Sequence, residues 1–526
     1  MKRTPVLLAL VLLAAIAPAS TQPRPPLAPI RADAIRSHMT FLADDLLEGR
    51  GTGTRGFELA AKYVAAQFEA AGLSPAGTDG GYYQRVNFRR TKPIGEQSSF
   101  ALVQAGGSEP FIWGRDFVAR SSAVHSPFIA TAPIVFVGYG VTDPEYGYDD
   151  YADDVRGAIV AFLPDVPPNL PVDRRDYYTS VKWDLARQHG AVATIELSTP
   201  DTDKRWPWED RMSWVTHGAA TWVEPDGRVP DDSLLPRVLL SSAGTSRLLG
   251  TVSRTVSDVI AAPRPFRLPN AVLNVAARHE EMNAPHVLAI LPGSDPQWRE
   301  EYVVYVAHLD GSGRDEPVKG DDIYNSAIDN GLGSAMLLAL AQAFVGLAER
   351  PKRSVFFFAA TGEELGIVGS PYFVEHPTVS LEAIVAAINI DGPSLLTDPV
   401  NAVLAMGAGN SSLGTVVDAA AQLLHLKVNK AAAPLNYSDH FPFLMKGIPA
   451  LWIVGNGDES TEANDTARRR IHTPADDMNR PFRWDVAETL AQLNFLIGQA
   501  IANQPDRPSW NDNDILGEKF SRPGAR

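Results

Sequence analysis

The sequence predicts an α/β fold, with a mixed, mainly parallel sheet sandwiched by helices and an inserted β-rich domain. Three observations predict it. Apolar runs at 302–307, 354–360, 384–390 and 450–454 are unbroken, as expected of strands covered on both faces. Segments with helical spacing separate them. Between about 98 and 269 that rhythm gives way to short β-rich runs, such as 133–137 and 158–162, set among Asp-, Pro- and Gly-rich loops. A chain of 526 residues also exceeds one ordinary core, so two domains are expected.

Taken in order, the N-terminus comes first. Lys2 and Arg3 precede an apolar run from Val6 to Ala17, and Ala17-Pro18-Ala19 offers small residues for cleavage. Residues 1–19 therefore read as a secretory signal peptide cut after Ala19, because a membrane anchor needs about 20 apolar residues. There is no cysteine, hence no lipid-anchor site and no disulfide framework. After a Pro-rich stretch, Ile35, Met39, Leu42 and Leu46 keep helical spacing until Gly49–Thr54 breaks it. A second helix starts near Gly56, with Leu59, Tyr63 and Phe68 towards one side and Gly72 as its stop.

Residues 30–97 and 270–503 are expected to form one discontinuous domain around an insert at 98–269. That insert should hold little helix, at 181–189, while 148–151 and 164–171 read as turns with exposed charge. In the second half, Met336, Leu340, Phe344 and Leu347 share a helical face. Segments 413–424 and 484–497 supply two more helices, and 504–526 reads as a polar, loosely held tail. With 45% apolar and 21% charged residues, the composition is that of a soluble globular protein. A net charge of −15 argues against nucleic acid or an anionic membrane as partner. No later segment reads as a membrane span.

Chemistry concentrates where the apolar runs end. His308 and Asp310 close the first, in a His-x-Asp pair that suits a metal-bound imidazole steered by a carboxylate. Asp329 stands at a helix start, where an ordinary cap is the blander reading. Glu363 and Glu364 follow the second run in a Gly-flanked turn, and adjacent glutamates there would gain from a cation. Asp391 ends the third run, and His472 lies in a Pro-containing turn. Each alone is weak. Together, two histidines and three carboxylates are the ligand set of a pair of zinc ions, with Glu363 a spare base beside them.

Those residues, with the segment Leu42–Thr54 and Ser438-Asp439-His440, resemble the di-zinc aminopeptidases, a family that includes bacterial leucyl aminopeptidases, aminopeptidase Y and the glutamate carboxypeptidases. The resemblance covers 302–503 and implies a zinc-exopeptidase fold. The insert resembles, more loosely, the protease-associated domain of such enzymes. Carried over, the resemblance implies two zinc ions: His308 and Asp391 on one, Glu364 and His472 on the other, Asp329 bridging. It implies Glu363 as general base, Asp310 as orienter of His308, and a cis peptide after Asp329. Three positions depart from the pattern. Gly311 stands where many relatives have Ser, Gly392 where many have Met, and Ile471 where some have an oxyanion-stabilising Tyr that Tyr437 would replace. Gly392, Tyr437, Ser438, Asp439, His440 and Ile471 are thus the expected substrate-binding positions.

The expected activity is removal of N-terminal amino acids from peptides outside the cytoplasm. A carboxypeptidase or dipeptidase on the same metals is the alternative, kept open by Arg468-Arg469-Arg470. Glutaminyl cyclisation would need only one zinc, and a non-catalytic peptide-binding protein would have lost ligands or base.

Overall fold

The computed structural model describes residues 30–104, 107–230, 235–455 and 466–521. The expected signal peptide lies outside them.

The main sheet contains β1 (Tyr83–Pro93), β2 (Ala219–Val223), β3 (Ala277–Leu291), β4 (Tyr302–His308), β5 (Ser354–Ala360), β6 (Ile384–Asn389), β7 (Ala402–Met406), β8 (Lys427–Ala431) and β9 (Ala450–Gly455). Their order is β2-β1-β3-β5-β4-β6-β9-β7-β8, with Ser74–Pro75 paired at the side of β3. The central run β5-β4-β6-β9 is parallel. Every ladder from β2 to β5 on one flank, and that between β9 and β7 on the other, is antiparallel. The sheet is therefore mixed, parallel at its centre and again in the β7–β8 pair at one edge. Sequence shows why: β5 and β6 are buried at every position, as runs covered on both faces must be.

Helices α1 (Ala32–Leu42), α2 (Arg55–Ala70), α3 (Gly333–Val345), α4 (Leu413–Leu423) and α5 (Trp484–Asn503) pack one core against the sheet. Helix α3 is buried nearly all round, so its single expected face understates it. The longer helical stretch Ala327–Val345 is apolar enough to cross a membrane, but 83% of it lies inside this protein. Two expected faces shift. Helix α1 ends at Leu42 and Asp44 caps a tighter turn at Asp45–Arg50, which leaves Leu46 83% exposed. On α2 the buried stripe runs through Phe57, Ala61, Val64 and Phe68, with Leu59 outside it. Gly72 does take the left-handed conformation that stops the helix, at φ 77°.

Residues 99–275 build a second, eight-stranded sheet with its own core. It is not short of helix: Val172–Gln188, Pro200–Arg205, Trp208–Thr216, Ser242–Gly250 and Val256–Ala261 all belong to it. Nor is the segment wholly separate. Strand β2, from its middle, pairs with β1 in the main sheet. Tyr178 of the helix Val172–Gln188 packs with Leu288, Val304 and Phe356 against the main sheet's second face. In the loop read as exposed charge, Asp150 is buried and accepts the N–H groups of Tyr139 and Val141. The C-terminal segment also differs from a loose tail. Helix α6 (Ile515–Phe520) buries Ile515 and Leu516 in that same second core, and Glu518 pairs with Arg174 of the insert at 2.7 Å.

Candidate metal centre

The C-terminal ends of the parallel strands converge, the place where open α/β sheets keep their ligands. His308 is the last residue of β4, Glu363 and Glu364 follow β5, and Asp391 follows β6. Asp329 comes from the irregular turn Ala327–Leu332, and His472 from the chain beyond β9.

Two clusters of possible ligands result, sharing one residue: His308, Asp329, Asp391, and Asp329, Glu364, His472. His308 Nε2 lies 3.1 Å from Asp391 Oδ1 and 3.2 Å from Asp329 Oδ1. The other oxygen of Asp329 lies 3.0 Å from His472 Nε2, which is 3.6 Å from Glu364 Oε2. One carboxylate thus faces two imidazoles with two different oxygens. The Asp329–Asn330 peptide is cis, as the resemblance implies.

The electrostatics are those of ligands crowded without enough positive charge. Burial pushes Glu364 up to about 8, with Asp329 adding to it. Burial, then Asp391, Asp439 and Glu364, raise Glu363 well above the carboxylate range against the pull of His308. His472 is drawn up to about 9, first by its hydrogen bond to Asp329. Burial alone would lower His308, but Asp391 and Glu363 carry it well above its usual value. Glu364 Oε1 is buried with no hydrogen-bond partner. An orphaned carboxylate oxygen among two histidines and two further acids fits a divalent cation bound by nitrogen and oxygen.

Supporting contacts hold the cluster. Asp310 is fully buried, but the roles of its atoms differ from expectation. Its backbone carbonyl lies 3.1 Å from His308 Nδ1, whereas its carboxylate is 3.9 Å from that nitrogen. The carboxylate instead accepts the N–H groups of Glu363 and Glu364 and the hydroxyl of Thr52. It therefore fixes the two-glutamate turn. Asp476 does the same for the N–H groups of Ile328 and Asp329. Buried Asn330 donates to Ile390 O at 2.8 Å and accepts from Gly333 N, joining the Asp329 turn to the strand carrying Asp391.

Arg50 was not singled out from sequence, though it sits in the Leu42–Thr54 segment. Its fully buried guanidinium donates to the carbonyls of Leu42, Leu309, Asn325 and Ser326. Burial lowers it to about 10, while Asp310, Asp476, Glu364 and Asp329 oppose that shift. It places a cation under the acidic cluster. The sequence signal was the glycine on either side of it: a Cβ on Gly49, at φ 69°, would meet Tyr324 O at 2.4 Å. Gly311 is explained too, since a Cβ there would meet Ser326 Cβ at 2.6 Å and Gly49 O at 2.7 Å.

The expected substrate-binding residues do not all line the opening. Ser438, Asp439 and His440 are fully buried behind the ligands. Ser438 accepts from Asn389, Asp439 accepts from Ser370 at 2.5 Å, and His440 Nε2 is bound to Pro434 O. Burial pushes Asp439 up to about 7. Ile471 packs against the main core, so the expected Tyr position holds an apolar contact instead. Tyr437 is 68% exposed, and a Cβ on Gly392 would meet nothing within 4 Å. Arg468 and Arg469 are exposed, as a solvated turn requires.

Residues 286–497 match Peptidase family M28. Over 125 residues the chain is 34% identical to Aminopeptidase NAALADL1 of Rattus norvegicus, a stretch of 23% of this chain and 15% of that one. The same stretch is 34% identical to the Mus musculus protein of that name. The match thus spans a small part of these curated relatives. Among solved structures, the aminopeptidase from Aneurinibacillus sp. strain AM-1 shares the fold, with a TM-score of 0.51 at 17% identity over 91% of this chain and 95% of that chain. The segment that matches peptidase family M28, residues 286–497, contains every residue of the two ligand clusters.

Proposed function

We propose that the protein is an exported zinc-dependent aminopeptidase that removes N-terminal residues from peptides at a two-zinc site. The observation that carries this reading is Asp329, whose two oxygens face His308 and His472 at 3.2 Å and 3.0 Å. In it, His308, Asp391 and Asp329 would hold one ion, and Glu364, His472 and Asp329 the other. Such a pair supplies a nucleophilic hydroxide at neutral pH and polarises the scissile carbonyl.

The residues of the chain do the rest. Glu363 takes the proton of the attacking water and returns it to the leaving amine. The carboxylate of Asp310 holds both glutamates in place through their N–H groups. The free N-terminus of the peptide lies beside the acidic ligands. Residues 98–269 serve as a protease-associated-like insert that narrows access to short peptides. Export rests on the charged, apolar and small-residue pattern of residues 1–19.

The test compares free and N-acetylated leucyl-anilide with the wild type and Glu363→Gln. The expected outcome is cleavage of the free substrate alone and a fall in kcat of roughly 10²- to 10⁴-fold in the variant, at unchanged metal content. Equal cleavage of the blocked substrate defeats the aminopeptidase reading. Fewer than two zinc ions in fully active protein defeats the paired site, and an intact residue 1 on protein recovered outside the cytoplasm defeats signal cleavage.

A further inference from the structure

A cleft of about 920 Å³ runs from Glu364 and the loop Leu365–Val368 to the insert, where Arg120, Arg237, Trp183 and Trp214 line it. Arg120 and Arg237 are direct partners in the antiparallel ladder between Phe117–Arg120 and Arg237–Leu240. Like charges directly opposite one another are unfavourable in a sheet. Each guanidinium is stacked on an indole, Arg120 at 3.9 Å from Trp214 and Arg237 at 5.0 Å from Trp183. Stacking accounts for one face of the Arg120 guanidinium, not for its in-plane donors.

Those donors separate Arg120 from its neighbours in the cleft. Arg90 donates to His217 O, and Arg187 is paired with Asp184. Arg120 Nε is buried with no hydrogen-bond partner. Burial and then the facing Arg237 hold its guanidinium down to about 9. A buried cation with an unmet planar donor, oriented by an aromatic platform, is complementary to a carboxylate.

We propose that Arg120, reinforced by the charge of Arg237, is a carboxylate-binding subsite of this cleft. It receives the carboxylate of a short peptide whose N-terminal residue lies at the metal centre. This rests on the aminopeptidase reading. A cleft of about 920 Å³ is at the upper end of the range for small-ligand sites, room for a short peptide.

Rates on Leu-Gly-Gly and its C-terminal amide test the subsite, with Leu-Gly-Glu amide and Leu-Gly-Gln amide as a second pair. The wild type is expected to prefer the free acid by roughly tenfold or more in kcat/KM, the effect of one hydrogen bond to a charged group. Arg120→Gln should bring that ratio to about one, and Arg120→Lys should restore part of it. A variant that merely loosens the insert lowers both members of a pair and leaves the ratio standing, which overturns the proposal. A ratio near one for both pairs in the wild type also overturns it. Preference confined to the Glu over the Gln peptide keeps the subsite and assigns it to an acidic side chain. Calorimetric binding of uncleaved D-Ala-D-Ala-D-Ala acid and amide to zinc-loaded protein reads the subsite without turnover. A wild type that cleaves no leucyl substrate yet binds the acid more tightly fails the aminopeptidase reading and keeps the subsite.

Discussion

Asp329 and Arg50 are the two residues on which the centre turns, one from above and one from beneath. Asp329 divides its oxygens between two imidazoles, and Arg50 ties together the carbonyls of the segments that carry the ligands. Lys has a single point of charge where Arg50 has a planar fork. Arg50→Lys is therefore expected to leave at least one buried carbonyl unmet and cost about 1–3 kcal/mol, read as a lower denaturation midpoint. Zinc affinity should fall with it. Asp310→Asn gives a sharper contrast. It keeps one acceptor oxygen but sets an amide donor against an N–H of the turn holding Glu363 and Glu364, so kcat should fall and stability should drop by about 1–3 kcal/mol. The His308-x-Asp310 pair was legible in sequence. Which atoms of Asp310 do the work was not, because the carboxylate's partners are a turn 53 and 54 residues further on and Thr52, 258 residues earlier.

Among the elements, the helices covering the sheet are the most sensitive to single changes. Gly56 at the start of α2 lies against the Asp45–Arg50 turn, where an added Cβ would stand 1.7 Å from Leu47 O. Gly56→Ala must push helix and turn apart, and overpacking of this kind costs about 1–3 kcal/mol. The turn carries Arg50, so the change should also weaken zinc binding, measured by calorimetry. Helix α6 gives the second expectation at this scale. Leu516→Ala should cost about 2–5 kcal/mol, since Leu516 is buried in the core shared with the insert. A truly loose tail would show no change. Its burial was not legible because the polar composition of 504–526 averages over two apolar residues whose helix packs on Phe441–Met445 and on the insert helix Val172–Gln188.

For the molecule as a whole, bound metal and pH are coupled. In metal-free protein, His472 rises from 6.5 to about 9, so its pairing stabilises fully below about 6.5 and is lost as pH climbs through 9. Glu364 rises from 4.5 to about 8, so folding favours its protonated form and that advantage fades over the same climb. Asp329 works in the opposite sense, held below 3.8, and its share is lost only in acid. The melting temperature of metal-free protein is expected to fall between about pH 5 and 9. The rise on adding zinc should grow across that window, because binding needs the deprotonated ligands. Scanning calorimetry with and without zinc checks both slopes; a zinc effect that shrinks with pH contradicts the ligand set.

The sequence by itself determined the four central strands and the candidate ligand types at the ends of three of them. Unbroken apolar runs force strands between two layers, and polar residues just past such runs have only the sheet's end to occupy. Only the tertiary structure decided that a strand from within the insert would extend the main sheet, and that Ser438, Asp439 and His440 would lie behind the site. It alone also brought Arg120 to the cleft that starts at Glu364. Each of those outcomes depends on partners distant in the chain, and local pattern carries no information about which surfaces will meet.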